Sequence, residues 1–158
     1  MHIVSQDGAH WTLGGVEARS WSFIDALILA SAVLIQEAED DDLAALIGTA
    51  DYIDRIVLGR EEIESAVNAL AACALLDTSE PLVPTDTARS MWVAAADGRG
   101  MVEAVKNLLA RLNKAATEPQ RHDRWLLSQT EYEAAVREYR RRFAAAWKRL
   151  DEGPGSRA

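Results

Sequence analysis

Apolar residues along most of this chain recur every three to four positions, the repeat of helices that each bury one face. The first such run spans about Trp21 to Gln36. It opens on Ser22 with Asp25 three residues later, the spacing of a capping box. From 23 to 35 it is apolar nearly all round, as a central helix covered on several sides would be. A second helix follows, with Leu43, Leu46, Ile47, Ala50, Ile53 and Ile56 on one face. Between them, Glu37 to Asp42 reads as a solvated turn whose last aspartate caps the next helix. The run lacks the spacing and central glycine of a calcium loop. After Gly59 a third helix starts near Arg60, with Ile63, Val67, Leu70, Ala71 and Ala74 facing inward.

Leu75 to Val83 then supplies two short extended pieces around Asp77-Thr78-Ser79-Glu80-Pro81, and Thr85 with Asp86 opens a fourth helix that offers Met91 and Trp92 to the core. Asp97-Gly98-Arg99-Gly100 breaks the chain. A fifth helix follows, with Met101, Val102, Val105, Leu108, Leu109 and Leu112 on one side and Lys106, Arg111 and Lys114 away from them. Thr117 to Arg124 is a loop. The last helix carries two overlapping caps, Ser128 with Glu131 and Thr130 with Glu133. Tyr132, Val136, Tyr139, Phe143, Trp147 and Leu150 line one of its faces, a seam for the first helix or for a second copy of the chain. At the other end, His2 to Leu13 has the pattern of a hairpin turning at Asp7-Gly8, which Gly14-Gly15 releases.

The segment REEIESAVNALAACALL followed by PLVPTDTARSMW resembles the third helix, wing and following helix of winged-helix bacterial regulators of the MarR and PadR sort. In that pattern Thr85 takes the place of the cap and Arg89 that of the arginine four residues later. Two positions depart from it: Gly59 stands where a Ser or Thr caps the third helix, and Ala74 where a glycine precedes the leucine pair. The whole chain also resembles uncharacterised actinobacterial proteins that share this pattern, a likeness that brings no function with it. The resemblance covers about Trp21 to Ala96. It implies a mainly α protein with a winged-helix-like core and a small β wing, to which an N-terminal β-hairpin and two C-terminal helices are added. The organisation expected is a hairpin extension at 1–20, the winged-helix-like domain at 21–96, a helical extension for packing or dimerisation at 97–150, and a disordered tail at 151–158.

Composition narrows the chemistry. Apolar residues are 49% of the 158, enough for a core. Cys73, alone, excludes an internal disulfide and reads as an inert buried thiol. Met1 to Asp7 has neither the basic start nor the apolar run of a signal peptide, and Phe23 to Ile35 is too short to span a bilayer, so the expectation is a cytoplasmic protein with no membrane partner. His2, His10 and His122 lack metal-ligand spacing, and no nucleophile motif or nucleotide loop is present. These absences make the expectation non-enzymatic, with no cofactor and no metal. A ligand-sensing regulator with an apolar pocket near Trp21, Trp92 and Trp125 is a third class, without a polar signature.

Charge changes the picture most. The net charge is −8, but residues 1–98 hold seventeen acidic and four basic residues (−13), and residues 99–158 hold eight acidic and thirteen basic (+5). Such halves face each other, in one chain or across a dimer, or the basic half meets an anion. A winged-helix regulator places its third helix in the major groove and needs Lys and Arg against phosphate. The outward positions here are Arg60, Glu61, Glu64, Ser65, Asn68 and Ala72, and the wing tip carries Asp77 and Glu80. Acids at those places disfavour DNA. The reading preferred on sequence is therefore a regulatory or protein-interaction module of unknown partner, expected to form a homodimer. The alternative is a dimeric DNA-binding transcriptional regulator using Arg60, Ser65, Asn68, Arg140, Arg141 and Arg142. Those last arginines read more readily as a solvated face paired with the acidic half.

Overall fold

The computed structural model describes residues 10–13, 16–40, 42–79, 81–115 and 117–153. Among them are the helices α1 (Phe23–Glu37), α2 (Leu43–Asp54), α3 (Arg60–Ala72), α4 (Asp86–Ala95), α5 (Met101–Ala115) and α6 (Gln129–Glu152). Two short antiparallel pairs accompany them, β1 (His10–Leu13) with β2 (Val16–Arg19), and β3 (Leu76–Asp77) with β4 (Val83–Pro84). The protein is mainly helical, as the apolar periodicity predicts.

Helix α1 is the centre. It packs against α2, α3, α4 and α5 and touches β4. Its residues from Asp25 to Val33 are all buried, which explains why its sequence is apolar on every side. One polar atom, the Ser31 hydroxyl, is buried there with no hydrogen-bond partner. The predicted capping box forms: the Asp25 N–H donates to Ser22 Oγ at 3.2 Å and the Ser22 N–H to Asp25 Oδ2 at 2.9 Å. Asp42 caps α2 through the Ala45 N–H, and Thr85 caps α4 through that of Ala88. At α6 the Ser128 and Glu131 box is the one used. Glycine has no side-chain oxygen, so only the return half forms at α3, where the Gly59 N–H donates to Glu62 Oε2. Ahead of α1, the Trp21 N–H donates to Asn113 Oδ1 on α5 at 2.9 Å and ties the two helices together.

Several expectations change. The turn predicted at Asp7-Gly8 lies outside the described residues, and the pairing observed runs Leu13 opposite Val16 to His10 opposite Arg19. In sequence, Gly14-Gly15 falls between these two paired strands. Ile56 is off the α2 face and 44% exposed, because Arg55 adopts the left-handed conformation and ends the helix. On α3, Ala66, Ala69 and Cys73 are buried in place of Ala71 and Ala74. The α6 seam lies on α2, not α1. The Tyr132 hydroxyl donates to the Leu58 carbonyl, Tyr139 lies over Gly48, and Arg142 reaches Asp42, so the two helices run antiparallel. Helix α6 also continues through Glu152, two residues into the stretch expected to fray; residues 154–158 lie outside the described set.

Candidate functional site

The face of α3 predicted to point outward is covered. Positions 60, 64, 68 and 72 stack one helical turn apart, and residues 117–128 lie along them as an extended strap between α5 and α6. The Gln120 N–H donates to the Ala72 carbonyl at 2.7 Å. Asn68 both donates to the Trp125 carbonyl and accepts the Trp125 N–H, each at 2.8 Å, and its oxygen lies 3.2 Å from His122 Nε2. Glu64 accepts the Leu127 N–H at 2.8 Å, and Arg60 donates to the Leu127 carbonyl at 3.1 Å. A ladder of side chains thus reads the backbone of a peptide, and the peptide is the chain's own.

The electrostatics follow from that ladder. The Glu64 carboxyl is held below its ordinary range first by the Leu127 N–H, then by Arg124 at 3.1 Å and by Arg60. Its side chain is only 13% exposed, so it is spent inside the fold although it belongs to an outward position. Arg60 also reaches Glu61 at 3.5 Å and Glu64 at 3.3 Å. Of the three α3 residues singled out for base contact, Arg60 and Asn68 are engaged by the strap, and Ser65 alone remains exposed and without a recorded bond. Nothing in the spacing of 117–128 announces this. The signal that was available is the i, i+4, i+8 recurrence of Arg60, Glu64 and Asn68, three polar groups able to satisfy a neighbouring backbone.

The basic helix divides in the same way. Arg142 is bound by Asp42 at 2.5 Å, Glu138 at 3.0 Å and Asp40 at 3.6 Å. Arg141 pairs with Glu138 at 2.6 Å. The Asp42 carboxyl is lowered first by Arg142, and the two arginines hold Glu138 down at about 2, Arg141 first. The pairs of Arg142 with Asp40 and Asp42 are the expected meeting of the acidic and basic halves, whereas Glu138 belongs to the basic half itself. Among the described residues Arg137, Arg140, Lys148 and Arg149 make no ion pair. The seam splits too. Tyr132, Val136 and Tyr139 pack against the core, and the Tyr139 hydroxyl donates to Asp51. Burial and that bond push its phenol up to about 12. Phe143, Trp147 and Leu150 remain exposed.

Two other features complete the survey. Of the three tryptophans near which an apolar pocket was considered, Trp21 and Trp92 are core residues, each 4% exposed. A cleft of about 660 Å³ does open beside Trp125, walled by Leu43, Leu46, Pro81, Leu82 and Leu126. Its carboxylates are already occupied, Asp42 with Arg142 and Glu131 as a helix cap. Among the described residues no group of His, Cys, Asp and Glu is placed to hold a metal ion, and no helix is long and apolar enough to cross a membrane. Cys73 is buried, its thiol 4.0 Å from the Thr117 carbonyl. No known protein family, curated protein or solved structure matches the chain.

Proposed function

We propose that this chain is a non-enzymatic regulatory or protein-interaction module built on a winged-helix-like core, and that its partner is protein, not DNA. The observation that carries this reading is the strap, which occupies the polar side chains a recognition helix would present to base edges. The helix, helix, helix, two-strand ribbon, helix order supports the core assignment. So does Ala74, whose φ of +55° is the conformation that the glycine of the resembled pattern supplies. Besides Ser65, what α3 leaves in solvent is acidic, Glu61 and Glu62, and the ribbon adds Asp77. Such a surface repels phosphate and suits a basic protein surface.

The test is fluorescence anisotropy against a labelled random duplex in low salt, where a non-specific binder shows itself by roughly 10 μM protein. No binding is the expected result, both for the native chain and for Asn68→Ala, in which the strap is loosened. Binding by the native chain with a steep inverse salt dependence overturns the proposal. The alternative, a dimeric DNA-binding regulator, is favoured by Arg137, Arg140, Lys148 and Arg149 on one helix, which make no ion pair among the described residues. It predicts that charge removal at Arg140 abolishes such binding.

A further inference from the structure

The cleft of about 660 Å³ beside Trp125 opens where the end of α1, the first turns of α2, the ribbon, the end of the strap and the first turns of α6 meet. Its size falls within the range of sites that take a whole small molecule, about 300–1,000 Å³. The walls are mostly aliphatic: Leu43 and Leu46 come from α2, Leu82 from the ribbon and Leu126 from the strap. Leu126 is 67% exposed, so apolar surface is left in water at a concave site.

Polar chemistry here is sparse and of one sign. Among the described residues no lysine, arginine or histidine lines the cleft, and its charged side chains are Asp42 and Glu131. Asp42 is saturated. One of its oxygens accepts the Ala45 N–H and an Arg142 N–H, and the other accepts a second Arg142 N–H. Glu131 is not. Its cap of α6 uses Oε2 alone, which accepts the Ser128 N–H at 3.3 Å. Among the described residues Oε1 has no hydrogen bond and no ion pair. The cleft thus joins an aliphatic wall to one carboxylate that no cation answers. Trp125 adds an indole, the aromatic ring that attracts cations best.

We propose that this cleft binds an apolar small molecule carrying one positive charge. The cation lies against Glu131 and the indole of Trp125, and the hydrocarbon body displaces water from the leucines. The wall supplies the affinity and the charge supplies the selectivity. An anionic amphiphile of the same shape is repelled by Glu131, and no basic side chain in the wall compensates.

Tetraphenylphosphonium and tetraphenylborate test this, because they share a shape and differ in the sign of their charge. Equilibrium dialysis of each against the full chain reads the two dissociation constants. It is run in about 0.15 M salt, where the net charge of −8 acts over only about 8 Å. The phosphonium is expected to bind with a dissociation constant below about 1 mM. The borate is expected to be roughly tenfold weaker or more, about 1.4 kcal/mol. Glu131→Gln removes the charge and keeps the cap, since glutamine also serves at that place in a capping box. It is expected to erase the preference between the two ions. Ala134→Leu, at an exposed position on α6, fills the cleft with a good helix former and is expected to weaken the phosphonium roughly tenfold. Circular dichroism of both variants should match that of the native chain. A phosphonium that fails to bind below about 1 mM overturns the proposal, as does a borate that binds as tightly. So does a preference that survives Glu131→Gln, or phosphonium binding indifferent to Ala134→Leu.

Discussion

Replacing Ala74 with glycine is expected to stabilise this protein, against the usual effect of placing glycine inside a helix. The α3 helix closes with the Leu75 N–H donating to the Leu70 carbonyl at 2.9 Å and the Ala74 N–H to the Ala71 carbonyl at 3.1 Å. That pair of bonds defines a Schellman motif with Ala74 at its left-handed position, φ +55°. The conformation is held from both sides: the Thr85 hydroxyl donates to the Ala74 carbonyl at 2.9 Å, and the Thr85 N–H to the Leu75 carbonyl at 3.1 Å. The left-handed region costs a residue with a Cβ about 1–2 kcal/mol. Glycine gives back about 0.5–1 kcal/mol through the freedom of the unfolded chain. Because the Ala74 side chain is exposed, no packing is lost. The net gain is about 0.5–1 kcal/mol, or a rise of ~1–4 °C in melting temperature for a chain of this size. Differential scanning calorimetry of Ala74→Gly beside Ala134→Gly makes the comparison. The second substitution lies in the exposed, ordinary interior of α6 and is expected to cost about 1 kcal/mol. If Ala74→Gly lowers the melting temperature as its control does, the left-handed cap is not the conformation the chain holds in solution.

Two further substitutions probe how α6 is seated. Gly48→Ala gains about 1 kcal/mol in helix propensity, but its Cβ would stand 2.9 Å from Tyr139 Cδ2, on a ring pinned by Asp51. Forcing that ring aside costs about 1–3 kcal/mol, so the urea midpoint should fall; a rise would mean that α6 lifts from α2 freely. The charged end of the same contact responds to acid. Asp42 and Glu138 both have folded pKa values below their ordinary ones, so their contribution is complete above the unfolded values and is lost as pH falls. For Glu138 the window runs from 4.5 down to about 2. Arg142→Ala is expected to be less stable than the native chain near neutral pH, with the difference shrinking in urea melts at about pH 2.5. A gap that stays constant with pH would remove the ion pairs from the account.

What could be read in the sequence was what neighbouring residues decide. Ser22 with Asp25, Asp42 and Thr85 are local signals, and each caps the helix it precedes. Helix α1 was legible as the centre because a helix covered on every side can carry polar residues nowhere, and only Asp25 and Ser31 interrupt it. Two overlapping boxes at α6 were not resolved by sequence, since both have the same residue types at the same spacing, and the structure uses Ser128 with Glu131. The partner of the α6 seam was misassigned for a related reason. An apolar stripe states that something covers it, not what, and the small residue that admits Tyr139 is Gly48 on α2. The strap was invisible because its side-chain bonds join positions 54 to 67 residues apart, through groups that look solvent-directed on a helical wheel.

The strap also bears on the choice between protein and DNA through affinity. For α3 to enter a groove, the strap must first leave it. The two bonds between Asn68 and Trp125 and the one from Gln120 to Ala72 are part-buried or backbone bonds that opening would break. At about 1 kcal/mol each they place the open state on the order of 3 kcal/mol above the closed one, a population near 1%. A ligand that binds only the open state has its apparent affinity reduced by that fraction, about a hundredfold. Non-specific DNA affinity begins at only about 10⁻⁴ to 10⁻⁶ M for well-charged binders, and this helix opposes phosphate with Glu61, Glu62 and Glu64. On the proposed reading, a hundredfold penalty on an already repulsive surface would leave no useful binding by that route. A protein that docked beside the strap would incur no such penalty, because Glu61 and Glu62 are exposed on α3 and can be met without the ladder opening.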